Sequence, residues 1–293
     1  GALTVRNALI ENNGAAGSDG SGGGVRGSGT FENVTFRNNS AADNGGGMDG
    51  SGTFTNVTFE GNSANRGGGM YSSYRSNNIF TNVTFEDNSG DGMLSNDSNN
   101  IFTNVTFTGN SGDGMDGSGT FTNVTFAGNS RNGMDGSGTF TNVTFAGNSR
   151  NGMDGSGTFT NVIFQENGGR GASIYYRTEA VNVRFLGNEG GGLSINGAQA
   201  SIANAVFSGN TTSGSGGGLF ITGDSSPQLS NLTFTNNTAS RGGALYVTGL
   251  NSFPVLTNSI LWGNSASSGP EIYVDEGQPS VGHSIVQGGL PSG

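Results

Sequence analysis

The sequence predicts an all-β fold, a solenoid of about 13 coils, each 19–27 residues long and made of three short parallel strands. Three observations carry this expectation. One asparagine recurs as Asn7, Asn33, Asn56, Asn82, Asn104, Asn123, Asn142, Asn161, Asn182, Asn204, Asn231 and Asn258, and His283 takes its place in the last unit. Of the 19 phenylalanines, 17 keep fixed distances from that marker: seven stand two residues before it (Phe31 to Phe159) and ten stand three residues after it (Phe36 to Phe234). All six methionines, Met48, Met70, Met93, Met115, Met134 and Met153, form a third column just after a glycine-rich turn. A disordered chain has no reason to hold phenylalanines in register, so the low hydrophobicity and the 57 glycines do not signify disorder.

The elements follow in order from the minimal unit Gly133–Arg150, which repeats Gly114–Arg131 residue for residue. Side chains alternate along a strand, so Met134 points inward and Asp135 outward. Gly136-Ser137-Gly138 reads as a turn, and Thr139-Phe140-Thr141 as a second strand with Phe140 inward. Asn142 makes a sharp bend, because asparagine tolerates left-handed backbone angles better than other non-glycine residues. That bend shifts the alternation by one, so Val143 and Phe145 both face inward. A second asparagine, six residues after the first (Asn148 in this unit), closes the coil. Coils stacked ~4.8 Å apart place Phe on Phe and Asn on Asn, with amides bonding to amides as in other cross-strand ladders. Parallel connections are overwhelmingly right-handed, so the expected architecture is a single-stranded right-handed parallel β-helix.

A single domain over residues 1–293 is expected, with near-identical coils at 114–163, the most divergent coil at 165–189, and longer loops at 204–293. Insertions fall in the loops, where a solenoid carries its function. The net charge is −10 and all 11 basic residues are arginine, which makes a poor nucleic-acid binder. No apolar run approaches the roughly 18 residues of a membrane span. The absence of cysteine and lysine excludes a disulfide framework, Cys-ligated metal and Cys-His or Ser-Lys nucleophiles. No catalytic residue, metal or cofactor is expected. Asp116, Asp135 and Asp154 recur in one outward column, where like charges repel, and Arg131 and Arg150 share their period as compensating charges.

F-x-x-N recurs as Phe59-Glu-Gly-Asn62, Phe126-Ala-Gly-Asn129 and Phe234-Thr-Asn-Asn237, alternating with Gly67-Gly68-Gly69-Met70 and Gly242-Gly243-Ala244-Leu245. This resembles the repeat of the polymorphic outer-membrane proteins, within the wider group of secreted bacterial right-handed β-helix surface proteins. The tail from Asn258 through Trp262 to Gly288 resembles the last coils of such proteins. The resemblance implies an extracellular or bacterial cell-surface location and a non-catalytic structural or adhesive role: stalk, adhesin passenger or filament subunit. It says little about activity, because adhesins, lyases and passive stalks share these motifs.

Several surfaces are candidates for contact. Tyr175, Arg177 and Glu179, in the coil that breaks the repeat most, form a candidate site for an acidic sugar, together with Arg170. Tyr175, Phe220, Tyr246 and Tyr273 are expected to share one outward column as an exposed aromatic stripe, a mark of a partner or ligand. Thr53, Thr55, Thr120, Thr122, Thr139, Thr141, Thr158 and Thr160 form T-x-T pairs on a flat strip, which gives ice binding as one alternative, and the charged groups around Arg177 and Glu179 give a carbohydrate-binding or carbohydrate-active β-helix as another. Asn38, Asn96, Asn210 and Asn236 are the sequons best placed for glycans. The first coil starts within a few residues of Gly1 without a capping helix, so other copies of the chain, stacked end to end, are expected partners. Carbohydrate or a host surface is a further one.

Overall fold

The computed structural model describes residues 3–17, 19–73, 76–96 and 99–290. Among these residues regular structure is β throughout, in 28 strands, and no helix is long and apolar enough to cross a membrane. The chain divides into two compact units, Gly1–Thr139 and Phe140–Gly293.

In the first unit each strand pairs in parallel with its counterpart one coil later, so that Phe31 faces Phe54 and Phe54 faces Phe80. Two phenylalanine columns fill the interior. Rings in one column lie 4.7–5.2 Å apart and nearly parallel, as in Phe54–Phe80 and Phe107–Phe126. The columns meet edge to face, with Phe80 and Phe85 at 5.9 Å and 66°, the arrangement that aromatic quadrupoles favour.

The second unit repeats this plan from Phe140 and Phe145 onward, then departs from it. After Phe159 the first column continues as Ala180, Ile202, Leu229 and Leu256. The second keeps stacked rings through Phe185, Phe207 and Phe234.

All thirteen marker residues, His283 included, have φ between 50° and 57°. The left-handed bend is therefore the invariant of each coil. The Gly-Ser-Gly segment is not the expected turn. Met48–Glu60 is one continuous strand that runs through Gly50-Ser51-Gly52, and Met153–Gln165 does the same. Glycine is needed there for close backbone approach, since a Cβ at Gly50 would lie 1.7 Å from the Gly27 carbonyl oxygen. So the expectation of three separate short strands holds in part: the first two merge in many coils.

Two asparagine ladders run in opposite directions. In the marker ladder each amide donates to the preceding coil, as Asn56 Nδ2 does to Asn33 Oδ1 at 3.0 Å. The second asparagines are buried, and each donates both its backbone N–H and its Nδ2 to the Oδ1 of the following coil; Asn62 does so to Asn88 at 3.0 and 3.1 Å. Its amide also donates to the Phe36 carbonyl, at 2.9 Å. Among the described residues no buried side-chain amide of this ladder lacks a hydrogen-bond partner, which is the condition for burying asparagine at all.

Candidate functional site

The divergent coil of the second unit builds the most distinctive surface. Ala172–Ile174 pairs with Leu193–Asn196, and the chain then leaves the ladder. The N–H groups of Tyr175 and Tyr176 donate to Ser156 Oγ at 3.4 and 3.0 Å, and the Thr178 hydroxyl donates to the Tyr176 carbonyl at 3.2 Å. This pins a corner from which both tyrosines project, Tyr175 42% and Tyr176 73% exposed. The strand Thr178–Leu186 follows, and its outward Glu179 starts a row: Glu179 faces Ser201, Ser201 faces Gln228, and Gln228 faces Val255. Together Tyr175, Tyr176, Glu179, Gln199, Ser201 and Gln228 line an open groove.

Arg177 lies in the same groove and pairs with Glu179 at 2.8 Å, both side chains well exposed. Arg170 does not join them. Its guanidinium sits 5.2 Å from the Phe220 ring centroid, burial lowers its pKa from the ordinary arginine value, with Tyr175 opposing, and its Nη1 is buried without a hydrogen bond. The two arginines expected to hold an acidic sugar are thus separated, one neutralised and one sequestered.

The expected aromatic stripe is corrected in two respects. Ser173, not Tyr175, holds the column position: it faces Ser194, which faces Phe220, which faces Tyr246, which faces Tyr273. Nor is the stripe open. Tyr246 is 6% exposed, stacked between Phe220 and Tyr273 at 5.3 and 5.6 Å, with its hydroxyl 3.0 Å from Asp275 Oδ2. Arg241 lies over Tyr273 at 5.7 Å. Rings in successive coils cover one another and a guanidinium lies over each outer ring, which leaves Phe220 and Tyr273 half-buried.

The threonine pairs are in the expected register within each unit. In the first, Thr55 faces Thr81, Thr81 faces Thr103 and Thr103 faces Thr122, an unbroken column. The neighbouring column is Thr53, Ile79, Ile101 and Thr120, and Thr139 is exposed. In the second unit Thr158 faces Glu179 and Thr160 faces Val181, so the strip that includes Thr141 ends at the divergent coil.

Of the four sequons, Asn38, Asn96 and Asn236 are exposed. Asn210 is fully buried in the ladder, donating N–H and Nδ2 to Asn237 Oδ1 at 3.1 and 2.8 Å; no glycan fits there.

In the first unit the acidic residues of the turn crowd one another. Asp113, nearly buried, has its pKa raised to about 6, first by burial and then by Asp91 and Asp135, against the N–H of Asn132 and Arg131. Asp116 is also raised to about 6, by partial desolvation and then by Asp135 and Asp91. Among the described residues no three His, Asp or Glu side chains converge as a metal site.

Sequence reasoning missed Gln199, Ser201 and Gln228. Their only signal is the spacing that puts them opposite Arg177 and Glu179 one and two coils on, and that spacing depends on loop lengths. It also missed Phe253, 46% exposed, whose N–H donates to Ser226 Oγ at 3.1 Å beside the groove.

The sequence profile of the family described as "Right handed beta helix region" matches residues 2–131, 42–157 and 177–289. The bacteriophage CBA120 tailspike protein 3 is similar in structure, with a TM-score of 0.58 at 14% identity over 100% of this chain. The chain spans only 57% of the length of that tailspike. Alginate lyase from Paenibacillus sp. str. FPU-7 matches with a TM-score of 0.30 at 12% identity, over 86% of this chain and 99% of the lyase. No curated protein matches the sequence significantly.

Proposed function

Because this chain belongs to the right-handed β-helix family, we propose that it serves as a non-catalytic, surface-exposed β-helix with a structural and adhesive role. The observation that carries this reading is the state of Glu179. It is the one carboxylate among the described residues lining the groove, and it is held by Arg177 at 2.8 Å in solvent. Glycoside hydrolysis needs two carboxyl groups flanking the scissile bond, whereas a single carboxylate in an ion pair, flanked by tyrosines and amides, is suited to holding a ligand. The repeated coils agree with this: Gly133–Arg150 copies Gly114–Arg131 and adds length without adding a new side chain.

The proposed form of this role is a stalk or adhesin passenger at a bacterial surface, with a subunit stacking end to end as its alternative. The test is adhesion of labelled protein to cells and to polysaccharide-coated surfaces, with soluble products assayed in parallel. Adhesion without cleavage, retained after deletion of residues 133–151, is expected. Release of saccharide products would refute the non-catalytic role. An ice-binding role is the second reading, favoured by the column Thr55, Thr81, Thr103 and Thr122; thermal hysteresis at millimolar protein tests it.

A further inference from the structure

Resting on the adhesive reading above, we propose that the groove from Tyr175 to Gln228 binds a linear, uncharged oligosaccharide laid along the stacking direction of the coils. The argument begins with the backbone. The floor strand Thr178–Leu186 is paired on both sides, with Met153–Gln165 and with Ala200–Ser208. Its main-chain donors and acceptors are used, so an extended peptide cannot add here as a further strand. Recognition must come from side chains.

Those side chains are of three kinds. Tyr175 and Tyr176 offer exposed ring faces at one end of the groove, and Phe253 stands at the other, next to Ser226. Between them lie Gln199, Ser201, Ser226 and Gln228, which both donate and accept. The charge is internally balanced, as Arg177 is matched by Glu179 and Arg170 is turned away onto Phe220. Flat apolar faces at the two ends with neutral donor–acceptor groups between them match a sugar chain, whose rings are apolar on their C–H faces and hydroxyl-bearing at their rims. Among the described residues lining the groove the one cation, Arg177, is paired with Glu179, and a polyanion meets a chain of net charge −10. The row Glu179, Ser201, Gln228 and Val255 advances one coil at a time, which at ~4.8 Å per coil spans roughly 14 Å. That length calls for an oligomer rather than a single sugar.

The test uses the full chain in affinity electrophoresis through gels containing neutral polysaccharides (a β-glucan, a galactan, a mannan and an arabinoxylan) or acidic ones (polygalacturonate, alginate and hyaluronate). Retardation by at least one neutral polymer, weakened tenfold or more in Tyr176→Ala and in Gln228→Ala and unchanged in Trp262→Ala, is the expected result. Trp262 is exposed on the strand that follows the Asn258 bend, in register with Thr235 rather than with Gln228, and serves as the control. Both groove substitutions alter exposed or half-buried side chains, and circular dichroism verifies that they fold. No retardation by any neutral polymer, stronger retardation by an acidic one, or indifference to Tyr176→Ala would overturn the proposal. If the chain still adheres to cells without cleaving anything, the adhesive reading survives that failure; if adhesion is also absent, both fall.

Discussion

Glu271 accepts both ladder donors of Asn264: the backbone N–H at 3.2 Å on Oε1 and the side-chain Nδ2 at 2.6 Å on Oε2. In every earlier coil of the second unit's buried ladder an asparagine of the next coil plays this part, as Asn264 Oδ1 does for Asn237 at 3.0 and 2.8 Å. The next coil offers Gly289 at that place, and glycine has no acceptor side chain. A carboxylate only accepts, so Glu271 ends the chain of donors.

Removing this terminator should therefore cost more than its size suggests. Glu271 is 6% exposed, and Glu271→Leu would orphan two buried donors at ~1–3 kcal/mol each. Glu271→Gln keeps a carbonyl oxygen able to take both, as asparagine oxygens do elsewhere in the ladder. Chemical denaturation should rank native and Glu271→Gln close together, with Glu271→Leu well below. Equal stability of the Leu and Gln variants would show that the contact is incidental.

The phenylalanine columns predict a second cost. Phe126 is fully buried, 4.9 Å from Phe107 in its own column and 5.9 Å from Phe121 across the core. Phe126→Ala should destabilise by ~3–5 kcal/mol, the transfer term plus the cavity it leaves. A loss under ~1 kcal/mol would mean that the core can collapse around the gap.

Where the ring column ends there is room to gain. Ala180 follows Phe159 in register, and a small apolar void lies among Phe159, Ala180, Phe185, Leu193 and Ile202. Ala180→Val should stabilise by about 1 kcal/mol through added burial. A fall in melting temperature would instead indicate overpacking.

Asp113 makes stability depend on pH. Its folded pKa, about 6, lies above the ordinary value of 3.8, so the folded state holds the proton more tightly than the unfolded chain. Its contribution is greatest below the unfolded value, declines as pH rises between the two, and is lost above about 6. The full shift corresponds to roughly 3 kcal/mol at 1.36 kcal/mol per pH unit, an upper bound. Asp113→Asn retains an oxygen for the Asn132 N–H, which Asp113 Oδ1 accepts at 2.7 Å. Urea midpoints at pH 4 and 7.5 should show the variant gaining on the native protein at the higher pH only. A gain that is equal at both pH values would remove Asp113 as the cause.

What could be read from the linear chain was whatever repeats locally. The left-handed bends from Asn7 to His283 and the inward placement of Phe140, Val143 and Phe145 follow from backbone preference and strand alternation, which need only near neighbours. Gly136-Ser137-Gly138 misled because glycine serves tight turns and close backbone contact equally well, and only the coil packed against it shows which applies. Tyr175 and Ser173 differ by two positions, yet the register with Leu193–Asn196 decides which of them belongs to the aromatic column. Arg170 covers Phe220 from 50 residues away in sequence, so the stripe's burial is a property of stacked coils and not of any one of them. The groove and the Glu271 terminator arise in the same way. Each joins side chains whose proximity is set by loop lengths between coils, and those lengths act only once the coils are stacked.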